Sequence, residues 1–318
     1  MRRNKEALRR ALQSYGTVLA LLVIVLAFSA IRPGSFCTLT NFINITRQIS
    51  LLVVISLGAT AVMSVGEFDL SVGEMASLGG VMAAQMAVAG APLALCFTLP
   101  ILASAAVGLV NGWVVARFRA LSFITTLGMS TVLSGVVYRL SGGATVFENI
   151  PDGFSALGTA KLGRVPLLSV LMAAFVLIFW FLMRHTPAGR KFYAIGGGEE
   201  AARIAGIRVR KYKILAFMLC AVMACVTGML IASRVGSANT TAGDGYFLKS
   251  YAAVFIGCTA SRRGVPNVPG TLLGAAILGV LANGLTMLQM PTYMQDIITG
   301  AIIVLSVVAQ RLGREDGR

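Results

Sequence analysis

The 318 residues are 57% hydrophobic and 12% charged, with a mean hydropathy of +0.82. Apolar runs of membrane-crossing length recur, and no polar stretch is long enough for a separate soluble domain, so the chain reads as an all-α membrane protein. A formal charge of +15 suggests nucleic acid at first sight, but there is no aromatic-interleaved basic patch and no nucleic-acid motif.

In chain order, residues 1–14 are basic and precede the apolar run 15–31. That run ends in Ala27-Phe28-Ser29-Ala30, which has the look of a signal-peptide cleavage site. The many spans that follow favour a retained first span. The expected membrane helices are 15–31, 44–65, 73–90, 92–116, 122–140, 165–183, 212–233, 246–260, 269–287 and 293–310, ten in all. The run 246–260 is short and interrupted by Lys249, and is expected to be a broken or tilted helix inside the bundle. With both termini placed in the cytoplasm, 20 of the 27 Lys and Arg fall on inner segments, a strong positive-inside bias. Most of the net charge is therefore topology.

Between the second and third runs lies Gly66-Glu67-Phe68-Asp69-Leu70-Ser71-Val72-Gly73-Glu74. Asp69 and Ser71 are placed to cap a helix beginning near Val72, with Glu74 in its first turn favoured by the helix dipole. Gly66 and Gly73 would permit the tight reversal. A capped turn is the plain reading of this stretch, and contact with a substrate or partner the functional one. The longest outer segment, 141–164, holds Gly142-Gly143, Glu148, Pro151-Asp152-Gly153, Lys161 and Arg164. It reads as a solvated loop or as a surface for a soluble partner.

Residues 184–213 form a charged island with eight Lys or Arg and the chain's single His, His185, between two apolar runs. Within it, Glu199 to Ile207 reads as a short amphipathic helix whose apolar side (Ala201, Ile204, Ala205, Ile207) needs covering. An anionic-lipid-facing loop is the plainer alternative. Gly196-Gly197-Gly198 reads as a flexible lead into that helix, although an anion site there is conceivable.

No stretch has the G-x-x-x-x-G-K-[ST] pattern of a nucleotide-binding loop. His185 has no Ser or Cys placed as a nucleophile beside it, so no catalytic residue is assigned and the chain does not read as an enzyme. Cys37, Cys96, Cys220, Cys225 and Cys258 have no paired spacing and read as small packing residues rather than a disulfide or a metal site. Gly270, Gly274 and Gly279 read as close helix packing.

Two stretches resemble each other in order and spacing. The first carries 66–71, then Asn111-Gly112, then Phe123-Ile124-Thr125-Thr126-Leu127-Gly128; the second carries 245–250, then Asn283-Gly284, then Asp296-Ile297-Ile298-Thr299-Gly300. The topology runs the halves, about 44–140 and 212–310, in opposite senses across one transmembrane domain spanning 1–318. Inverted repeats of this kind belong to transport proteins, with the path between the halves.

Taken together these stretches resemble the permease subunits of bacterial ATP-binding-cassette importers for ribose, xylose, arabinose and autoinducer-2. That family's Gly-Gly-Ile-Asp-Leu-Ser-Val-Gly is matched by Gly66 to Gly73, and its Pro-Phe-Ile-x-Thr-Leu-Gly by Ser122 to Gly128. Its Thr-x-x-Gly-Arg…Glu-Ala-Ala-Arg-x-x-Gly-Ile is matched by Thr186 to Ile207, and its Ala-Ala-Val-x-Ile-Gly-Gly by Ala252 to Cys258. Gly270 to Ala275 and Asn283-Gly284-Leu285 complete the set. Glu67-Phe68 stand where the family has Gly-Ile, Gly198 replaces an Asn, and Cys258 and Arg262-Arg263 alter a Gly-rich turn.

The resemblance implies a vitamin-B12-importer-like permease architecture in the bacterial inner membrane. It implies a second permease copy, surrounding lipid, two cytoplasmic ATP-binding-cassette subunits and an external substrate-binding protein as partners. No cofactor is bound by this chain, and ATP is used by the partner subunit. Glu199, Glu200, Ala201, Ala202, Arg203 and Gly206 become the expected coupling element, and Gly66, Asp69, Ser71 and Gly73 the signature turn. Asn111, Thr125, Thr126 and Asn283 are candidate path residues. The rival reading is a stand-alone secondary transporter or channel, which usually shows functional charge deep in the membrane; here the deep membrane is nearly charge-free.

Overall fold

The computed structural model describes residues 2–259 and 264–315, with side chains over 16–259 and 264–305. Arg262 and Arg263, and the side chains of the basic segments 1–14 and 311–318, lie outside the described residues.

The elements in order are α1 (Arg2–Ile31), α2 (Pro33–Phe36), α3 (Leu39–Ser64), α4 (Val72–Val88), α5 (Leu93–Phe118), α6 (Ser122–Ser141) and α7 (Asp152–Thr159). There follow the short strands β1 (Lys161–Leu162) and β2 (Val165–Pro166), paired antiparallel, then α8 (Leu167–His185), α9 (Pro187–Gly197) and α10 (Glu199–Ile204). The chain continues through α11 (Val209–Val235), α12 (Asp244–Thr259), α13 (Val268–Met287) and α14 (Thr292–Glu315). Each apolar run read from the sequence falls on one of these helices. Among the described residues, six helices are long and apolar enough to cross a membrane: α3, α5, α6, α8, α11 and α13. Helix α12 is continuous through Lys249, so the expected break is absent; the Lys occupies one helical position without interrupting the backbone ladder.

Contacts divide the chain into two compact units, residues 50–248 and residues 1–49 with 249–318. In the first unit α11 is the central helix, packed along α5 and α4. Glycines let the backbones approach. A Cβ at Gly228 would run into the Ala76 carbonyl, one at Gly79 would meet Cys225, and one at Gly112 would meet Ile214. Packing of this kind replaces the hydrophobic driving force that lipid removes. The segment 141–164 is more ordered than a solvated loop, because its α7 is docked by two bonds on α11. The Ser233 hydroxyl donates to the Phe154 carbonyl (2.6 Å) and accepts from the Gly158 amide (2.8 Å).

In the second unit α13 packs on α1, with Gly284 against the Phe28 ring. The expected small-residue packing is present: Gly257 meets Gly270, and Gly274 meets the Ala253 carbonyl. Asn267 caps α13 by accepting from the Gly270 amide at 2.8 Å. Cys96, Cys220, Cys225 and Cys258 are buried and Cys37 is exposed.

The α4–α11 contact generates a direct test. Gly228→Leu forces a side chain into the Ala76 backbone and should destabilise the protein by about 1–3 kcal/mol, as overpacking does. A lowered thermal midpoint in detergent checks it.

Candidate coupling site

The turn after α3 is built from backbone amides and short side chains. Gly66 takes the left-handed conformation (φ 83°) that ends α3, as the reversal required. Beyond it the Phe68 amide donates to the Ser122 hydroxyl at 3.3 Å, and the Leu70 amide donates to the Thr126 hydroxyl at 2.9 Å. Helix α4 begins at Val72, where the sequence placed it, but the cap differs from the expected one. Ser71 makes no side-chain cap bond. Its hydroxyl (2.5 Å) and its amide (2.9 Å) both donate to Oδ1 of the buried Asp69, closing a local turn two residues long. Donation to the carboxylate turns the hydroxyl toward Asp69, and its oxygen accepts from no amide of the first turn. Asn111 of α5, wholly buried, donates to the same Ser71 hydroxyl at 3.2 Å. Gly73 is helical rather than part of the reversal, and its role is close approach to the Gly243 backbone.

The charged island forms two short helices. Thr186 caps α9, its hydroxyl accepting from the Gly189 amide at 3.3 Å, and Pro187 fills the first position. Phe192 and Ile195 are buried, and Gly196 lies directly on the Ser64 carbonyl, so a side chain there would collide with the end of α3. The glycines expected as a flexible lead are therefore largely the last turn of α9, with Gly198 at the junction. Helix α10 starts at Glu199 as expected and ends at Ile204, before Ile207, because Gly206 turns left-handed (φ 79°). Glu199 and Glu200 occupy its positive end and Arg203 its last turn, with Arg203 paired to Glu199 at 3.3 Å and Glu200 at 3.2 Å. His185 is flanked by the Trp180 and Phe181 rings, at 4.7 and 5.7 Å.

One side chain joins the two structures. Lys213, in the first turns of α11, is buried at 7% exposure and donates to Glu67 at 2.5 Å and to Glu199 at 2.7 Å. Glu67 belongs to the signature turn and Glu199 opens α10. The hydrogen bond from Lys213 holds the Glu199 carboxyl below the usual Glu range. Beside this junction a cleft of about 490 Å³ is lined by Arg119, Arg203, Arg208, Arg210 and Lys211, with one carboxylate, Glu199.

Of the residues singled out in α10, Glu200, Ala201 and Arg203 face outward with Ile204, which is 81% exposed; Ala202 faces inward at 4%. Gly206 is the exposed stop after α10. Asn111 and Thr126 brace the signature turn, Thr125 is half-buried, and Asn283 accepts from Asn41 at 3.1 Å. Sequence reasoning missed Lys213 as a site residue, along with its partner Glu67 and the brace Ser122. Lys213 was visible as a cation at the very edge of an apolar run, but nothing local points to a partner 146 positions away.

Long apolar helices, small-residue packing and a basic island carrying an exposed helical tip define a multi-pass membrane permease. Residues 41–307 match the family described as "Branched-chain amino acid transport system / permease component", and the chain belongs to that family. It is 36% identical over 295 residues to the ribose import permease protein RbsC of Escherichia coli (strain K12), covering 92% of each chain. It is 33% identical to the ribose import permease protein RbsC of Bacillus subtilis (strain 168), over 94% of this chain and 93% of the relative. It is 32% identical to the galactose/methyl galactoside import permease protein MglC of Escherichia coli (strain K12), over 97% of each. The chain is thus a permease subunit of an ATP-binding-cassette importer rather than a stand-alone transporter.

Two outcomes follow from this geometry. Thr126→Val keeps the shape of the side chain but strands the Leu70 amide, and should cost about 1–3 kcal/mol, read as a lower thermal midpoint. Because the Glu199 carboxyl is held low, its contribution to stability is complete above the ordinary Glu value of 4.5 and is lost as pH falls through the lowered folded value. Glu199→Gln should therefore flatten the acid limb of a stability–pH profile.

Proposed function

We propose that this subunit imports a monosaccharide across a bacterial inner membrane, driven by ATP hydrolysis in a partner. The substrate class is supported by the relatives, whose names specify ribose and galactose at 32–36% identity over nearly the whole chain. These similarities to individual importers cover 92–97% of the chain and are weighted above the family description, which names branched-chain amino acids. In this reading the ten apolar helices cross the membrane as two inverted halves, about 44–140 and 212–310, in a vitamin-B12-importer-like arrangement. Both termini are cytoplasmic. A second permease copy completes the translocation path, and an external binding protein delivers the sugar. Thr125 and Asn283 are candidate polar groups along that path, with Asn111 and Thr126 behind it.

Coupling runs through α10. The observation that carries this is its outward face: Ile204, 81% exposed on a helix of six residues, stands on the basic island with Ala201 and Ala205 beside it. A large aliphatic side chain so displayed, with small residues around it, suits a groove on an ATPase subunit. Inward-facing Ala202 would hold the helix to the body, while Glu199, Glu200 and Arg203 fix its ends. ATP binding closes the ATPase pair, and rigid-body motion passed through α10 switches access from one side to the other.

Co-purification tests the docking. The wild-type permease should retain its ATPase subunit in detergent, and Ile204→Glu should release it with the permease still folded. Equal recovery of the ATPase with both proteins would sink the assignment of α10.

A further inference from the structure

Among the described residues Lys213 is the one buried cation. Its position is costly twice over. It is desolvated, and it lies near the positive end of α11, where a cation is disfavoured. Two carboxylates from two separate segments offset that cost, Glu67 at 2.5 Å and Glu199 at 2.7 Å. Glu67 is itself nearly enclosed, with a side chain 16% exposed, whereas the Glu199 side chain is 40% exposed. An ion pair needed only to anchor α10 to α11 would stop at Glu199. The second, more enclosed partner ties the same ammonium to the signature turn.

That turn is in turn held to α6 through Ser122 and Thr126, and to α5 through Asn111. A displacement of α10 is therefore connected by short directional bonds to the first residue of α4. Gly196 also rests on the Ser64 carbonyl and beside Gly66, a packing contact that resists approach but not separation.

We propose that Lys213 is a positioning residue for transport: by bridging Glu67 and Glu199 it locks the coupling helix to the head of α4, so that the two move as one body. This rests on the reading of α10 as the ATPase-docking element, and it adds the route by which its motion enters the membrane-embedded helices. Glu67→Gln neutralises this link and leaves an amide oxygen, while Glu67→Gly removes the acceptor; in both, Lys213 keeps Glu199 and α10 keeps its outward face.

Spin labels at Ala205→Cys and Ala89→Cys, both exposed and at the far ends of α10 and α4, report the distance directly in a Cys37→Ser background. In the permease alone, the unsubstituted junction should give a single narrow distance distribution. Glu67→Gln should lose that narrow peak, Glu67→Gly should lose it likewise, and Lys213→Arg, which preserves both ion pairs, should retain it. Narrow, unchanged distributions in both Glu67 variants would overturn the proposal. Failure of the intact protein to bind an ATPase would count against α10 docking only, since this comparison is made without the ATPase.

Discussion

The structure of residues 50–248 turns on one buried ammonium group. Lys213 stands where a positive charge is unwelcome, buried near the start of a long apolar helix. It is tolerable only because Glu67 and Glu199 converge on it. Removing either carboxylate leaves the ammonium with one counterion in place of two. The constraint has a structural consequence. The loop after α3, the helix α10 and the start of α11 cannot drift apart without exposing or orphaning a charge, so three segments distant in sequence share one fixed point.

The same economy of short contacts appears inside the bundle. Around the signature turn the backbone amides of Phe68 and Leu70 are satisfied by hydroxyls of α6. Helices α4 and α11 meet through glycine, so that backbone atoms rather than long side chains form the contact. Both devices give rigidity without volume. They suit a subunit whose task is to move helices as units: hydroxyl braces and glycine contacts have little slack, and a push at one end arrives at the other.

Much of this was legible in the sequence. Hydropathy alone located the apolar helices, because lipid permits few other ways to bury a backbone. The left-handed Gly66, the start of α4 at Val72 and the start of α10 at Glu199 followed from turn chemistry and charge placement. Other features were hidden for physical reasons. Helix α7, with Gly153 and Gly158, has poor intrinsic propensity and is specified by docking on Ser233. Helix α9 carries Gly189, Gly196 and Gly197, which reads as loop, yet Thr186-Pro187 was a start signal in plain view. Ser71 has the residue type of a cap, but Asp69 two positions earlier competes for its hydroxyl, and only geometry decides that contest. The Lys213–Glu67 pair joins positions too far apart for any local pattern. Glu67 stood out only as a departure from the family signature, and the structure supplies its partner.

The central claim is that the tip of the basic island is where force enters the permease. Hydrogen exchange of the intact permease, with and without its ATPase subunit, tests this most directly. The account predicts that ATPase binding slows exchange in α9 and α10, strongest over 199–207. Unchanged exchange across 187–207, with protection elsewhere on the chain, would contradict it.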